Sequence, residues 1–554
     1  MSNLVSVYCK NTQTYHEFPM GISLLDIYHQ LGVQLPYPVL AARVNFRVES
    51  LNFRVYKPKN IEFIDATSSS GIRVYLRTAT MILAKAVADI LPDATLRVEH
   101  PICGGYYCCI NDREQAVVLE IIEALKVRMQ EIVDADLAIE SEEQQSEVVA
   151  EMFRRHGMTD KVALIETLGM PYSRFFKIGD YVDYYDSELC PSTGYIRIFD
   201  LEPYRNGFIL RIVDTYQPDR LSSYKNQDKL FDVFDEFVRW NKLMGLSNVA
   251  DFNIANNPER TADLIKISEA LQEKKIAQIA DMIKARQPQC RFVMIAGPSS
   301  SGKTTFSKRL GVQLAVVGIK PVVLALDDYF VERENTPMDI NGEHDFEHLN
   351  AVDIPLLNDH LLRLMNGEEV EIPTYNFHDG HRYYLGEKKQ LTPGAVLVME
   401  GIHALDPDMS PAVPQDAIFR IYVSALTTIS LDNHNWISTS DTRLVRRLIR
   451  DYQFRGDSGQ CTIARWPSVR RGEDRWIFPF QENADVMFNS AFLFELAAFR
   501  PYAERILSLV PQNSEEYTEA HRLKKFLRFF SPINDRDIPA TSLLREFLGG
   551  SSFK

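Results

Sequence analysis

A glycine- and serine-rich segment directly behind an apolar run limits the fold of this chain more than any other feature. Residues 297–304 read Gly-Pro-Ser-Ser-Ser-Gly-Lys-Thr and follow the apolar run 291–296, which predicts a buried strand, a loop and a helix. Glycines let backbone N–H groups face into such a loop, and the helix N-terminus adds positive charge. The pattern predicts a phosphate-binding loop for a nucleoside triphosphate; the alternative is a plain Gly/Ser turn.

Each residue type in this loop has a role in phosphate chemistry. The residues that we expect to contact the phosphates of ATP are Gly297, Pro298, Ser299, Ser300, Ser301, Gly302, Lys303, Thr304 and Thr305. Lys303 would reach the β- and γ-phosphates, and the Thr304 hydroxyl would hold Mg²⁺. A third buried strand, 395–399, ends in Glu400, whose carboxylate could reach the same Mg²⁺.

Length and composition limit the broad class. A chain of 554 residues is too long to fold around a single hydrophobic core, so about three or more domains are expected. Its net charge of −14 argues against broad wrapping of nucleic acid, although a local basic patch stays compatible with it. No apolar stretch approaches bilayer length, and the first residues do not resemble a signal peptide. Seven scattered cysteines suit a reducing compartment, so we expect a cytoplasmic protein without membrane partners.

One cysteine cluster permits two interpretations. His100, Cys103, Cys108 and Cys109 are close in sequence, which is compatible with a metal site. A second ligand pair at a zinc-like spacing is missing from the sequence. We therefore expect buried free thiols in a strand.

The pattern of apolar residues divides the chain into five regions. We predict a small α+β unit, a larger α+β unit, a helical connector, an α/β domain with a mostly parallel sheet, and a C-terminal helical tail. Within the connector, Leu264, Ile267, Leu271, Ile276, Ile279 and Ile283 are predicted to share one helix face. The predicted boundaries are 1–65, 66–220, 221–287, 288–515 and 516–554.

Two further segments indicate what is done with the nucleotide. A second buried strand, 321–326, ends in Asp327, which is placed to accept the proton of an attacking hydroxyl; helix capping is the alternative. Arg443, Arg447 and Arg450 recur along one helical side, with Arg455 beyond them. Their charges could stabilise a transferring phosphoryl group, and an exposed basic helix is the alternative.

Residues 290–490 resemble the uridine kinase/phosphoribulokinase family of P-loop kinases. The order and spacing of several motifs carry the resemblance. The matching segments are 297–304, 326–330, 345–348, 372–377, 399–401, 447–456 and 483–486.

The resemblance implies roles for individual residues. Asp327 would be the catalytic base, Arg450 would act with it and Lys303 in catalysis, and Arg455 would contact phosphate. Asp457 replaces an arginine of the pyrimidine kinases, which indicates a shifted or broader base preference. The nucleoside would be held by Tyr329, Glu347, Tyr375, Phe377, His381 and Arg447, with His378 competing with His381 for the base.

The front half, residues 1–220, is similar to the N-terminal half of threonyl-tRNA synthetase, namely a ubiquitin-like TGS module followed by an editing-like domain. The stretches 75–86 and 191–196 carry this resemblance. The synthetase's four catalytic and metal-binding positions fall on Thr78, Ile82, about Tyr185 and about Leu189, with Cys190 displaced. Those side chains supply neither a base nor a metal site, so we expect no deacylation of tRNA. Ligand sensing, RNA contact and dimerisation are the remaining alternatives.

The leading hypothesis is an ATP- and Mg²⁺-dependent kinase of the 5′-hydroxyl of a nucleoside. A kinase of another small hydroxyl compound, such as a sugar phosphate, is the first rival. An NTP-switched RNA- or tRNA-binding protein is the second. We expect a homo-oligomer, and we expect the tail to dock on the kinase domain through Leu543, Leu544, Phe547 and Leu548.

Overall fold

The structure, a computed structural model, describes residues 4–111, 116–338, 342, 344–376 and 378–553. Its first unit is a small α+β fold over residues 4–64. Within the described residues its main sheet has the strand order β2-β1-β7-β4-β5, and β1 pairs with β7 in parallel. The elements are β1 (Leu4–Cys9), β2 (Thr14–Pro19), β3 (Ile22–Ser23), α1 (Leu24–Leu31), β4 (Ala41–Val44), β5 (Arg47–Glu49), β6 (Arg54–Val55) and β7 (Lys59–Ile64).

The second unit packs two long helices on an antiparallel sheet. In the described residues the sheet runs β13-β14-β9-β8, and a smaller sheet runs β10-β11-β12. Helices α2 and α3 bury their apolar sides against the larger sheet. The elements are α2 (Ser69–Ile90), β8 (Leu96–Ile102), β9 (Gly105–Ile110), α3 (Leu119–Asp134), β10 (Glu140–Gln145), α4 (Ser146–Arg155), α5 (Thr159–Leu168), β11 (Tyr172–Ile178), β12 (Tyr181–Asp183), β13 (Phe199–Tyr204) and β14 (Gly207–Ile212).

The expected buried thiols are present. Cys108 and Cys109 lie inside β9, and both are buried. Burial raises the pKa of the Cys108 thiol well above its usual value, so it behaves as an apolar core side chain.

The connector consists of α6 (Asp228–Leu243), α7 (Val249–Ala255) and α8 (Pro258–Ala285). Pro258 opens α8, and the Asn257 side chain caps it. Leu264, Ile276, Ile279 and Ile283 are buried along α8. The prediction for Ile267 is wrong, because its side chain is exposed and Ile265 takes the buried position.

The predicted mostly parallel sheet forms the centre of the third unit. Within the described residues its order is β16-β19-β15-β20-β21, and every neighbouring pair is parallel. The elements are β15 (Phe292–Ala296), α9 (Lys303–Val316), β16 (Lys320–Ala325), α10 (Ile354–Met365), β17 (Glu369–Asn376), β18 (His381–Gln390), β19 (Ala395–Glu400), β20 (Ile418–Ser424), α11 (Thr439–Arg450), α12 (Gly459–Trp476), β21 (Val486–Asn489) and α13 (Glu495–Ser508).

Both faces of this sheet are covered, which explains the continuous apolar runs in its strands. Along β15, Val293 and Ile295 join the core on one face, which also contains α8, α9 and α11. Phe292, Met294 and Ala296 join the core on the other face, with α6 and α10. This arrangement brings the carboxyl ends of β15, β16 and β19 to one edge.

The C-terminal segment, α14 (Tyr517–Leu527) and α15 (Arg545–Leu548), docks on this unit as predicted. Leu543, Leu544 and Phe547 are fully buried in the core beside α11. None of the described helices is long and apolar enough to cross a lipid bilayer.

A buried ion cluster joins the front half to the parallel-sheet unit. The Lys161 ammonium lies 2.9 Å from Asp183 and 3.2 Å from Asp432, and His434 Nδ1 lies 2.8 Å from Asp183. Burial acts to raise the pKa of Asp183, but His434 and Lys161 outweigh it and hold that pKa well below its usual range. Asp432 and His434 belong to the segment 430–437, here named the junction loop.

Replacement of Lys161 by Met should destabilise the protein by about 3–5 kcal/mol, because two buried carboxylates would lose the cation they share and keep only His434 beside them. Equilibrium unfolding in urea measures this. Lys266→Ala, which removes a surface pair with Asp263, should cost less than about 1 kcal/mol. An equal effect of the two substitutions would contradict the importance of the cluster.

Candidate active site at the phosphate loop

The segment 297–302 forms a tight loop between β15 and α9, and its glycines are required by geometry. A β-carbon on Gly297 would lie 1.9 Å from the carbonyl oxygen of Val423 on β20. Gly302 has a φ of +86°, which side chains disfavour, and it turns the chain into α9. The loop is therefore held at the N-terminus of a helix, the position that suits an anion.

The polar groups of this loop fit phosphates. Lys303 Nζ donates to the carbonyl oxygens of Gly297 at 2.8 Å and Pro298 at 3.2 Å, so it lies across the loop. Among the described residues, the buried hydroxyls of Ser300 and Ser301 find no hydrogen-bond partner. Hydroxyls left in this way are suited to donate to phosphate oxygens.

A candidate Mg²⁺ site lies beside Lys303. The Thr304 hydroxyl donates to Glu400 Oε1 at 3.0 Å. Burial raises the pKa of Glu400 to about 7, and the charge of Asp327 adds to this, whereas Lys303 opposes it. Two acids and a hydroxyl in one place supply the oxygen ligands that Mg²⁺ prefers, so these residues fit the ion.

Asp327 and Asp328 follow β16 and have different surroundings. Asp327 is exposed at the carboxyl edge of the sheet beside Lys303, a region here named the cleft, yet the protein around it excludes enough water to raise the pKa of its carboxyl. Lys303, Arg455 and Arg450 act in the opposite direction. Asp328 accepts the backbone N–H of Tyr375 on the hairpin β17–β18. Asp327 is thus directed towards the phosphate loop and its cations, and Asp328 towards the hairpin.

Asp451 organises the arginines at the end of α11. Its buried carboxylate lies 3.2 Å from Arg447 Nε, 2.8 Å from Arg450 Nη2 and 3.6 Å from Arg455 Nε. Arg447 also donates to the Ser299 hydroxyl at 2.8 Å. Burial lowers the pKa of Arg447 and of Arg455, and the neighbouring Arg450 contributes to both shifts. Three guanidinium groups are therefore collected beside the phosphate loop by one acid.

The prediction for Arg443 is wrong. Its guanidinium is fully buried, pairs with both oxygens of Glu473 and lies over the Trp466 ring at 5.4 Å. It donates to the Ser299 carbonyl at 3.1 Å and so supports the loop from behind. A buried carboxylate partner on α12 turns this arginine away from the cleft.

Glu347 reaches the cleft from the segment before α10. Its side chain packs on Gly472, where a β-carbon would lie 2.3 Å from the Glu347 Cβ. Burial raises the pKa of Glu347 to about 7, Glu473 adds to the shift, and Arg447 and Lys303 oppose it. The structure therefore brings Glu347 to the same cations as the phosphate loop.

The aromatic residues predicted for the nucleoside differ in position. Tyr329 is fully buried in the core, and its hydroxyl lies 2.9 Å from His360 Nδ1 on α10. Its assignment to the nucleoside site is therefore corrected, since the ring cannot reach a ligand in the cleft. Tyr375 packs on Phe330 with ring centroids 5.5 Å apart and is 6 % exposed. Phe377 lies outside the described residues.

The two candidate histidines lie on the hairpin β17–β18. His381 Nδ1 is 2.7 Å from Glu332 Oε2, and its side chain is about half exposed. His378 is exposed, and its backbone N–H donates to the Asn376 side chain. Neither histidine is buried in the cleft, so the geometry does not choose between them.

Three carboxylates at the site were missed from the sequence: Asp451, Glu473 and Glu546. Asp451 lies four residues from Arg447 and from Arg455, a helical spacing that could have revealed it. Glu473 accepts the backbone N–H of Ser299 at 3.0 Å, and Glu546 accepts that of Thr305 at 3.2 Å. Both come from distant segments, and no local pattern indicates them.

In the front half, the positions that correspond to the synthetase site are closed. Thr78, Ile82, Tyr185, Leu189 and Cys190 are all buried. The Thr78 hydroxyl donates to the Val74 carbonyl and accepts the Cys190 N–H. This region is part of a core, with its polar atoms paired internally.

Comparison with known proteins agrees with this geometry. Residues 292–493 match the Phosphoribulokinase / Uridine kinase family. The uridine kinase of Deinococcus deserti is 30% identical over 195 residues, which are 35% of this chain and 84% of that enzyme. The chain belongs to the phosphoribulokinase/uridine kinase family.

The front half matches a different class of protein. The threonine–tRNA ligase of Syntrophotalea carbinolica is 32% identical over 214 residues, which are 36% of this chain. The chain spans only about a third of the length of such ligases, 34% in this case. A solved structure of a possible uridine kinase from Bacillus stearothermophilus is 20% identical, covers 39% of this chain and 98% of its own, and has a TM-score of 0.27.

Asp327→Asn and Asp328→Asn should separate the two acids. Loss of the Asp327 carboxylate should lower phosphoryl-transfer turnover by about 10²–10⁴ with little change in ATP binding, because the amide cannot accept the hydroxyl proton. Asp328→Asn should mainly loosen the hairpin contact. Single-turnover kinetics on both variants measures this, and a larger loss in Asp328→Asn would show that the base is assigned one residue too early.

Proposed function

We propose that this protein transfers the γ-phosphoryl group of ATP to the 5′-hydroxyl of a nucleoside. One observation carries the proposal: Thr304 pairs with Glu400, and the charge of Lys303 on the phosphate loop acts on Glu400, Asp327 and Glu347 alike. A nucleotide switch would not require the acids on the acceptor side, whereas a kinase requires all of them.

The residues divide the chemistry among them. Lys303 and the arginines collected by Asp451 stabilise the negative charge on the transferring group. Asp327 accepts the proton of the attacking hydroxyl as the new P–O bond forms and the bond to the donor breaks. Thr304 and Glu400 would hold Mg²⁺, which when bound neutralises charge on the phosphates.

The charge of the acceptor side favours an uncharged acceptor. The charges that act on Glu347 include Glu473 and Asp345 as well as Arg447 and Lys303. Of the cations, Arg447 is already paired with Asp451. A neutral ribose with two hydroxyls to donate suits this acidic wall better than a second phosphate group does.

The base preference is proposed to be broad. Asp457, which stands where the pyrimidine kinases have an arginine, lies 3.0 Å from Arg465 on α12. Its carboxylate is therefore engaged at the start of that helix, and a cationic contact to the base is missing from this position. Purine nucleosides are included in the proposal for that reason.

Lys303→Ala provides the first test. The wild-type chain, incubated with ATP, Mg²⁺ and a panel of uridine, cytidine, inosine, guanosine and ribulose 5-phosphate, should phosphorylate at least one nucleoside, as followed by ADP release. The variant should lose nearly all turnover, since the charge on the β- and γ-phosphates is unopposed. Turnover of the sugar phosphate alone would support the phosphoribulokinase-like alternative instead.

The pH dependence of acceptor binding tests Glu347. Because its pKa is raised to about 7, the carboxyl is protonated below that pH and charged above it. The KM for the nucleoside should fall as the pH rises through about 7, since the ionised carboxylate can accept hydrogen bonds from two hydroxyls through both oxygens, whereas the protonated carboxyl carries an O–H donor on one of them. Glu347→Gln should flatten this dependence and raise the KM. A KM that rises with pH in the wild type would contradict the assignment.

A further inference from the structure

The C-terminal segment places an acid on the first turn of α9, directly after the phosphate loop. Glu546, in α15, accepts the Thr305 hydroxyl at 2.8 Å and the Thr305 backbone N–H at 3.2 Å through the same oxygen, Oε2. These residues are 241 positions apart in sequence. The contact therefore exists only because the tail folds back over the start of α9.

The Thr305 backbone N–H and hydroxyl, which donate to Glu546, are donors of the kind that bind phosphate oxygens. Thr305 lies in the first turn of α9, directly after Lys303 and Thr304, where backbone N–H groups lack helical partners and the helix end is positive. An anion stabilises such an end, and a carboxylate and a phosphate oxygen compete for the same donors. The charge of Glu546 is also one of those that raise the pKa of Glu400.

The backbone of the segment is fixed, whereas the Glu546 side chain is not enclosed. Leu543, Leu544 and Phe547 are fully buried, and the Phe547 ring lies under the Arg446 guanidinium at 5.1 Å. Arg545 pairs with Asp535 at 2.9 Å. Glu546 itself is only partly buried, so a rotation of its side chain can release Thr305 while the segment stays docked.

We propose that Glu546 competes with the phosphates of the donor nucleotide for Thr305 and so sets the affinity for the donor. The proposal rests on the proposed function only in that the loop binds a nucleoside di- or triphosphate. Because the carboxylate is anchored to the same chain, it is present at high effective concentration next to Thr305. The affinity for the donor falls in proportion to the fraction of molecules in which Thr305 is free of Glu546. The nucleotide and the Glu546–Thr305 contact exclude one another.

Calorimetric titration of the full chain with ADP and Mg²⁺, without an acceptor, tests this. Glu546→Ala should bind ADP about 3- to 30-fold more tightly than the wild type, which corresponds to one helix-end charge interaction. Glu546→Gln, which keeps a weaker acceptor without charge, should lie between the two. Asp537→Asn is the matched control: it removes one charge from an exposed residue of the same segment and should leave ADP affinity unchanged.

Unchanged or weaker ADP binding in both Glu546 variants would overturn the proposal and leave Glu546 as a helix cap. Melting temperatures establish that each variant is folded. If Glu546→Ala does not fold, the comparison of Glu546→Gln with the wild type still tests the proposal. The KM for ATP should fall by the same factor as the ADP dissociation constant. Because ADP binding needs no acceptor, tighter binding without phosphorylation of any nucleoside would disprove the proposed function while supporting the competition.

Discussion

The burial of Lys161 between Asp183 and Asp432 is the constraint on which the relation between the two halves depends. An ammonium and two carboxylates removed from water are tolerated only when they meet, so the front half and the junction loop must be in place together. The Asn433 carbonyl accepts the Val98 N–H, and the Trp436 ring packs on Tyr106. The loop leads directly into α11, whose end presents Arg447 and Arg450. The front half thereby fixes the helix that carries cations to the phosphate loop.

The tail makes a second connection between the same parts. Two residues of α14 contact the front half. Glu519 pairs with Arg73 at 2.9 Å, and Lys525 donates to the backbone carbonyl of Asp186. The same segment then runs to Glu546, which contacts Thr305 directly after the phosphate loop. Two routes, through the junction loop and through the tail, therefore reach the nucleotide site from a domain that is similar to part of a tRNA ligase. This continuity connects the front half physically to the phosphate loop, although the positions that correspond to the synthetase site are buried.

The strand–loop–helix order around residues 297–304 could be predicted from sequence because apolar runs and glycines act locally. Roles that depend on whether a side chain faces the core or the phosphate loop could not be predicted in this way. Tyr329 and Phe330 are adjacent aromatic residues and both are buried, but the turn after β16 places Tyr329 in the main core and Phe330 in a small cluster with Ala351 and Tyr375. The spacing of Arg443 and Arg447 predicts that they lie on one side of a helix. In the structure, Arg443 pairs with the buried Glu473, whereas Arg447 pairs with Asp451. Glu473 and Glu546 come from distant segments, so their arrival at the loop is a tertiary property that periodicity does not contain.

The charges around the cleft explain how so many acids coexist with a site for polyanions. Glu347 and Glu400 both have a pKa raised to about 7, so each can take up a proton when no cation neutralises it. Burial acts to raise the pKa of Glu473, but Arg443 and Arg470 outweigh it and lower that pKa. Asp451 is likewise buried beside arginines, Arg447 and Arg450. The acids at this site thus form two classes. Those paired with arginine support the loop, and those with a raised pKa, Glu347 and Glu400, can change their charge near neutral pH.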